Sequence, residues 1–117
     1  MTDIDKTKPL VELRENLFLH FAREEEGLFP FVAQHVSALA EQIHVMEVAH
    51  DTICGALVRM VHLTSTAAPL ATVEHVFERF ENAYAAHAVA ESELLGELAT
   101  RLDSEQRTTL AALVEGL

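Results

Sequence analysis

The chain has 117 residues, half of them apolar, and this length suits a single domain with one core over residues 1–117. Its formal net charge of −11, from 19 acidic and 8 basic residues, repels phosphate backbones, so nucleic acid is not expected as a partner. No apolar run reaches the roughly 18 residues of a membrane span, the start lacks signal-peptide features, and Cys54 is the single cysteine. These features predict a cytoplasmic protein with no membrane contact.

Helical periodicity extends through nearly the whole chain, and strand-like alternation is absent. Residues 1–6 are predicted to be disordered. The first helix should begin near Thr7, with Pro9 in its first turn, and run to about Gly27. Gly27 and Pro30 are then expected to break or kink it, because glycine and proline are the strongest helix breakers.

The second helix is predicted to begin within residues 31–37 and to run to about Leu63. Residues 64–69, rich in threonine, serine and alanine before a proline, form the clearest loop. A third helix should span about residues 70–102, and residues 103–105 form a second break with N-cap chemistry. A short helix then completes the chain. The predicted fold class is therefore all-α, an up-down bundle of three long helices and a short C-terminal one.

Two segments share the pattern His-x-x-x-Glu-x-x-x-Leu. One contains His20 and Glu24 in the first helix, and the other contains His87 and Glu91 in the third. In a helix, residues four apart lie on one face about one turn apart. The repeat therefore predicts a site of approximate two-fold symmetry, built by two similar helices.

These histidines and glutamates fall inside the apolar stripes of their helices. At about 100° per residue, His50 also lies within the stripe of the second helix. Glu25 and Glu26, in contrast, should be solvated. The stripes comprise Leu10, Leu13, Leu17, Phe21 and Leu28, then Ile43, Met46, Ile53, Leu57 and Val61, and finally Val73, Val76, Phe77, Phe80, Tyr84, Leu94, Leu98 and Leu102. The remaining histidines His44, His62 and His75 should lie on the surface, and His35 has no predicted role.

Acidic groups on inner helix faces need a compensating charge. A buried glutamate costs several kcal/mol unless it is paired or coordinated, and no lysine or arginine occupies these stripes to neutralise Glu24 or Glu91. A bound cation would do so. Imidazole together with carboxylate suits iron, zinc or manganese, and carboxylates can bridge two metals in a bundle core. The expected metal ligands are His20, Glu24, His50, His87 and Glu91.

Three further residues are secondary candidates. Glu47 flanks the second stripe and is a possible additional ligand. Cys54 lies one turn after His50, where it either binds metal, senses redox state or acts as a small buried hydrophobe. Tyr84 lies one turn before His87, as a hydrogen-bond donor to the ligand shell or as a core aromatic whose hydroxyl reaches the rim.

The segment His-Phe-Ala-Arg-Glu-Glu-Glu-Gly-Leu-Phe-Pro at positions 20–30 resembles the signature of the hemerythrin-like, or HHE cation-binding, family. That family follows a His-x-x-x-Glu helix with a helix carrying a lone ligand histidine, here His50, and then a second His-x-x-x-Glu helix. The resemblance covers roughly residues 10–110. It implies a four-helix bundle, a non-haem di-iron centre, and binding of oxygen, nitric oxide or iron itself.

The chain departs from the family's pattern in one respect. The family normally has a preceding helix that supplies another histidine, but nineteen residues precede His20 and none is a histidine. Three outcomes are open. One metal is under-coordinated and completed by water, Glu47 or Cys54; a second subunit supplies the missing wall; or the metal site has decayed. Because an uncovered helical seam should be apolar, a homodimer or a partner helix is expected.

Three functions follow from this reasoning. In the first, Glu24 and Glu91 bridge two irons, the three histidines are terminal ligands, and the centre binds or senses oxygen, nitric oxide or peroxide. The second is a di-iron redox enzyme with peroxidase-like activity, which the same ligands would serve. The third is a metal-free helical dimerisation or interaction module. An enzyme is not the first expectation, because the sequence has no nucleophile motif or cofactor-binding loop.

Overall fold

In the computed structural model of the protein, residues 7–117 are described, and the predicted disorder of residues 1–6 falls outside this range. The elements are α1 (Thr7–Arg23), a π-helical turn (Glu24–Leu28), α2 (Phe29–His35), a 3-10 turn (Ser37–Leu39), α3 (Ala40–Ser65), α4 (Leu70–Arg101) and α5 (Ser104–Glu115). This part of the chain has no strand, so the predicted all-α fold is confirmed. None of its helices is both long and apolar enough to cross a membrane.

The chain stays helical through Gly27 and Pro30, so neither residue ends the helix, and the predicted break or kink takes the form of a π-helical turn over Glu24–Leu28. The π-helical turn is closed by a hydrogen bond from the Phe29 N–H to the carbonyl oxygen of Glu24, five residues earlier. In an ordinary α-helix, a proline lacks the N–H that the ladder requires and its ring collides with the carbonyl four residues before it. A π-helical turn contains one extra residue and is wider, which makes room for the Pro30 ring.

The π-helical turn also decides which residues of α2 face the core. An α-helix advances about 100° per residue, which would carry Phe29 and Val32 away from the buried stripe of α1. The extra residue of the π-helical turn offsets the angular positions of the residues that follow it. The side chains of Phe29 and Val32 are therefore buried. Helical geometry instead ends at Val36, with φ of −138° and ψ of 70°, so α3 begins at Ala40 and not within residues 31–37.

The two connections after α3 have the predicted positions and clear local causes. Ala67 has a left-handed φ of 55°, and the Ala68 N–H donates to the Leu63 carbonyl at 3.0 Å, which is the Schellman arrangement that ends helices. Before α5, the Asp103 side chain accepts from the Gln106 N–H at 2.8 Å, while the Gln106 side chain accepts from the Asp103 N–H at 3.0 Å. This reciprocal capping box starts α5.

The long helices alternate in direction, and α3 packs between α1 and α4. Two buried apolar clusters fill the spaces between them. An upper cluster joins the second half of α1 to the second half of α3 and the first half of α4, and a lower cluster joins α2 to the start of α3, the end of α4 and α5. Their buried members are Leu17, Phe21, Ile53, Leu57, Met60, Val76 and Phe80 above, and Leu28, Phe29, Val32, Val36, Leu39, Ile43, Met46, Leu94, Leu98, Leu102 and Leu110 below.

The fourth side of the bundle is only half covered. Helix α5 runs back along the lower cluster, where Leu110 is buried and Leu113 reaches Gly27. Three residues of the predicted stripes, Leu13, Phe77 and Tyr84, are nevertheless 37%, 44% and 43% exposed. We call these three residues the open face. The protein is accordingly elongated, 59 × 24 × 17 Å with a radius of gyration of 17.1 Å, against about 13 Å for a compact chain of this length.

Candidate metal centre

Five polar side chains meet between the two apolar clusters. His20 lies in the last turn of α1, and Glu24 is the first residue of the π-helical turn. His50 lies in the middle of α3, while His87 and Glu91 lie one turn apart in α4. All three long helical segments therefore contribute to one site, at the level where a continuous apolar core would otherwise pass through the bundle.

Glu24 is the centre of this cluster, and its side chain is fully buried. Its Oε1 atom lies 3.1 Å from His50 Nε2, 3.5 Å from His20 Nε2 and 3.9 Å from His87 Nε2. Donor atoms that share one metal at about 2.1 Å are themselves about 3 Å apart. The observed separations are close to this spacing, so the donors already converge as ligands of one cation would.

The second His-x-x-x-Glu pair has similar geometry to the first. His87 Nε2 lies 3.7 Å from Glu91 Oε2, compared with 3.5 Å from His20 Nε2 to Glu24 Oε1. Each pair has one buried and one partly exposed member: Glu24 and His87 are 0% and 3% exposed, whereas His20 and Glu91 are 32% and 19% exposed. His50 is also buried, at 3%. The site therefore has a dry inner side and a partly solvated outer side.

The buried atoms of this cluster lack hydrogen-bond partners. Both carboxylate oxygens of Glu24 and both ring nitrogens of His50 and His87 are buried without any hydrogen bond of acceptable geometry. Buried polar groups are rarely left unsatisfied, because each costs roughly 1–3 kcal/mol or more. Within residues 7–117, no lysine or arginine pairs with Glu24 or Glu91. A bound cation fits the site because it would be a partner for the Glu24 carboxylate and for the Nε2 atoms of His50 and His87.

The donor atoms form two groups of three that share one residue. The inner group is Glu24, His50 and His87, and the outer group is His20, Glu24 and Glu91; within each, the donor atoms lie within 4.8 Å of one another. Glu24 belongs to both groups. A carboxylate has two oxygens and can bridge two metals, as in other carboxylate sites in bundle cores.

The two carboxylates respond in opposite ways to their surroundings. Burial acts to raise the pKa of Glu24, but its contacts with His50, His87 and Glu91 outweigh burial and hold that pKa below its ordinary range. Burial and the neighbouring Glu24 carboxylate raise the pKa of Glu91 to about 8. Two adjacent carboxylates cannot easily both be charged, so without metal Glu24 carries the negative charge and Glu91 keeps its proton near neutral pH.

Aromatic side chains hold the inner histidines in place. The His50 ring stacks on Phe21, with ring centroids 3.8 Å apart and planes at 11°, and faces Phe29 at 5.5 Å and 18°. His87 meets the edge of the His50 ring at 4.7 Å. The imidazoles are therefore oriented by packing before any ligand binds.

The three secondary candidates lie outside both donor groups. Glu47 is exposed. Cys54 packs against the upper cluster, and burial with the nearby Asp51 and Glu25 carboxylates raises its pKa to about 11, which keeps the thiol protonated and unreactive at neutral pH. The Tyr84 ring stacks on Phe80 with centroids 5.9 Å apart. The predicted surface histidines His44, His62 and His75 are all exposed.

Two contacts to the ligand histidines were not predicted from the sequence. Glu25 is exposed, as expected, but its Oε1 atom also lies 3.5 Å from His50 Nδ1. The main-chain oxygen of Leu117 lies 3.4 Å from His20 Nδ1. The only sequence signal for the contact between Glu25 and His50 is that Glu25 directly follows Glu24. The helical phase of Glu25, taken alone, places this residue outside the apolar stripe of the first helix.

The family comparison agrees with this geometry. The family model for the hemerythrin HHE cation-binding domain matches residues 6–114, which includes every element from α1 to α4 and nearly all of α5. No curated protein matches the chain, and no solved structure matches it. The match extends over almost the whole sequence, and the chain therefore belongs to the hemerythrin HHE cation-binding domain family.

Proposed function

We propose that the protein is a di-iron domain whose centre binds or senses oxygen, nitric oxide or peroxide. The observation that supports two metals is the sharing of Glu24 between two three-donor groups. One metal would be held by Glu24, His50 and His87, and the other by His20, Glu24 and Glu91. Zinc and manganese suit the same donor types; iron is proposed because of the resemblance to hemerythrin-like proteins.

Bound iron would supply open coordination positions and a reversible change of oxidation state, which is the chemistry that sensing a diatomic ligand requires. The chain's own residues have three tasks. Glu24 would neutralise part of the positive charge of the metals and would hold both of them. Phe21 and Phe29 fix the His50 ring and keep water from the inner side. Glu91 gives up its proton when a cation arrives, because the cation removes the repulsion that raises its pKa.

A cleft between α3 and α4 supports the proposal that the ligand is small and uncharged. Its volume is about 210 Å³, and none of its lining residues is an acid, lysine or arginine. Alanines at positions 49, 83, 86 and 90 form much of the lining, and His87 is part of it. Since His87 is buried and belongs to the inner donor group, this cleft gives an apolar molecule a path toward the inner side of the centre.

Metal content per chain tests the proposal. We would reconstitute the protein anaerobically with ferrous iron, remove excess metal and measure iron and protein together. We expect about two irons per chain, and substantial loss in Glu24→Gln, which removes the shared charge. Glu26→Gln is the matched control, since Glu26 is exposed and two residues away.

The outcomes separate the three candidate functions. About one iron per chain would contradict the dinuclear centre. No iron in the wild-type protein would reject the metal-based functions and leave the helical interaction module. With two irons bound, a spectral change on adding nitric oxide supports a sensor or carrier. Sustained peroxide turnover with an added reductant would instead support the peroxidase-like enzyme. We also propose that the protein is located in the cytoplasm, because a free thiol at Cys54 suits a reducing compartment.

A further inference from the structure

His50 is restrained from four directions. Its ring faces are covered by Phe21 and Phe29. Its Nε2 atom lies 3.1 Å from Glu24 Oε1, inside the bundle, and its Nδ1 atom lies 3.5 Å from Glu25 Oε1, toward the surface. Two consecutive glutamates therefore flank the two nitrogens of one imidazole.

The helical register explains how neighbouring residues reach opposite sides of the same ring. Successive side chains of a helix differ by about 100°, so Glu24 points into the bundle while Glu25 points toward the seam between its own helix and α3. His50 lies across that seam. The Glu25 side chain is 40% exposed, which leaves it free to move by the roughly 0.6 Å that would shorten the contact to an ordinary hydrogen-bond length of about 2.9 Å.

We infer that Glu25 is a positioning residue for His50. The Glu25 carboxylate accepts a hydrogen bond from Nδ1–H of His50, which keeps the proton on Nδ1 and leaves the Nε2 lone pair for the bound metal. In metal sites the second nitrogen of a ligand histidine usually donates to a carboxylate or carbonyl, which fixes the tautomer and makes the metal-binding nitrogen more basic. No other carboxylate of residues 7–117 is placed beside Nδ1, which otherwise has no partner.

The other two histidines differ from His50 in this respect. His20 Nδ1 has a main-chain oxygen of Leu117 at 3.4 Å, but the His20 side chain is 32% exposed, against 3% for His50. The Nδ1 atom of His87 has no hydrogen-bond partner among the described residues. His50 is therefore the one of the three histidines that is both buried and flanked by a carboxylate at Nδ1, and we expect the inner metal to be the more tightly bound.

The test uses zinc as a diamagnetic probe with the full chain. Zinc affinity and stoichiometry are measured by competition with a chelator for the wild-type protein, Glu25→Ala, Glu25→Gln and Glu26→Ala. Imidazole ¹H–¹⁵N spectra of the same samples at one fixed pH report the His50 tautomer and the exchange of its Nδ1 proton. The metal-free samples are recorded too, so that the contact can be judged even if zinc does not bind.

We expect Glu25→Ala to weaken zinc binding about 10- to 100-fold, the usual effect of losing such a contact. Glu25→Gln should weaken it less, because its amide oxygen still accepts a hydrogen bond from Nδ1–H. The stoichiometry should not change, and the Nδ1 proton should exchange faster only in the Glu25 variants. Unchanged affinity and spectra in Glu25→Ala would overturn the inference, as would the loss of a whole zinc equivalent, which would make Glu25 a direct ligand.

This inference rests on metal binding at the proposed centre, but it fails separately from it. If the wild-type protein binds zinc and Glu25→Ala behaves like Glu26→Ala, the metal site stands and the positioning role is rejected. If the wild-type protein binds no metal, the proposed function is rejected. The metal-free spectra then decide whether the Glu25–His50 contact exists.

Discussion

Replacing Glu91 with glutamine should change how many protons leave the protein when a metal binds. The neighbouring Glu24 carboxylate and burial raise the pKa of Glu91 to about 8, so at pH 7.5 about three quarters of the metal-free molecules carry a proton there. A metal ligand must be deprotonated. Zinc binding should therefore release about 0.75 more protons from the wild-type protein than from Glu91→Gln.

Titration calorimetry in two buffers of different ionisation enthalpy measures this number directly. The two proteins differ only at residue 91, so the difference in proton release reports on Glu91. Glu93→Gln is the matched control, because Glu93 lies two residues away and is exposed. Below about pH 7, each further drop of one pH unit should lower the zinc affinity of the wild-type protein. This decrease should be close to tenfold larger than the decrease in Glu91→Gln. A difference below about 0.3 protons would refute the argument.

The same groups set the pH dependence of the metal-free protein's stability. The pKa of Glu91 is raised above its ordinary 4.5, so its stabilising effect is complete below about pH 4.5 and is lost as the pH rises through about 8. The pKa of Glu24 is lowered, so its contribution is lost only on acidification below about pH 4.5. Between these limits the melting temperature should fall with rising pH in the wild-type protein and change less in Glu91→Gln; a flat wild-type profile contradicts this.

Three further predictions concern the connection after α3, the cleft beside His87 and the open face. Ala67 has a left-handed φ of 55°, which costs a non-glycine residue about 1–2 kcal/mol, so Ala67→Gly should raise the melting temperature by a few degrees; a decrease would contradict the strain argument. Ala86→Leu, at the mouth of the cleft beside His87, should slow nitric oxide association and dissociation equally in stopped-flow experiments, whereas Ala85→Leu should not; equal rates in both variants would reject the path. If a second copy covers the open face, the wild-type mass in solution should be that of a dimer, and Leu13→Glu should halve it; a monomeric wild type would reject that expectation.

Local sequence was sufficient for the helices and for the set of polar residues on their inner faces. The 3.6-residue period places His20 and Glu24 on one face and His87 and Glu91 on another, and these relationships depend only on neighbours within a few turns. The C-terminal end of α3, both ends of α4 and the start of α5 were predictable for the same reason, since capping groups such as Asp103 act on backbone groups nearby. Glycine and proline were less informative, because Pro30 is accommodated by a π-helical turn that widens the helix around it.

Only the tertiary structure decided what those faces meet. The sequence determined an all-α chain with two His-x-x-x-Glu pairs and a lone His50 on buried stripes, because helical periodicity is a local property. It did not determine that Glu24 belongs to both donor groups, that Glu25 lies beside His50 Nδ1, or that α5 covers half of the fourth side. Those facts depend on how helices far apart in sequence pack against one another, and distances across a seam are set by the side chains of both partners.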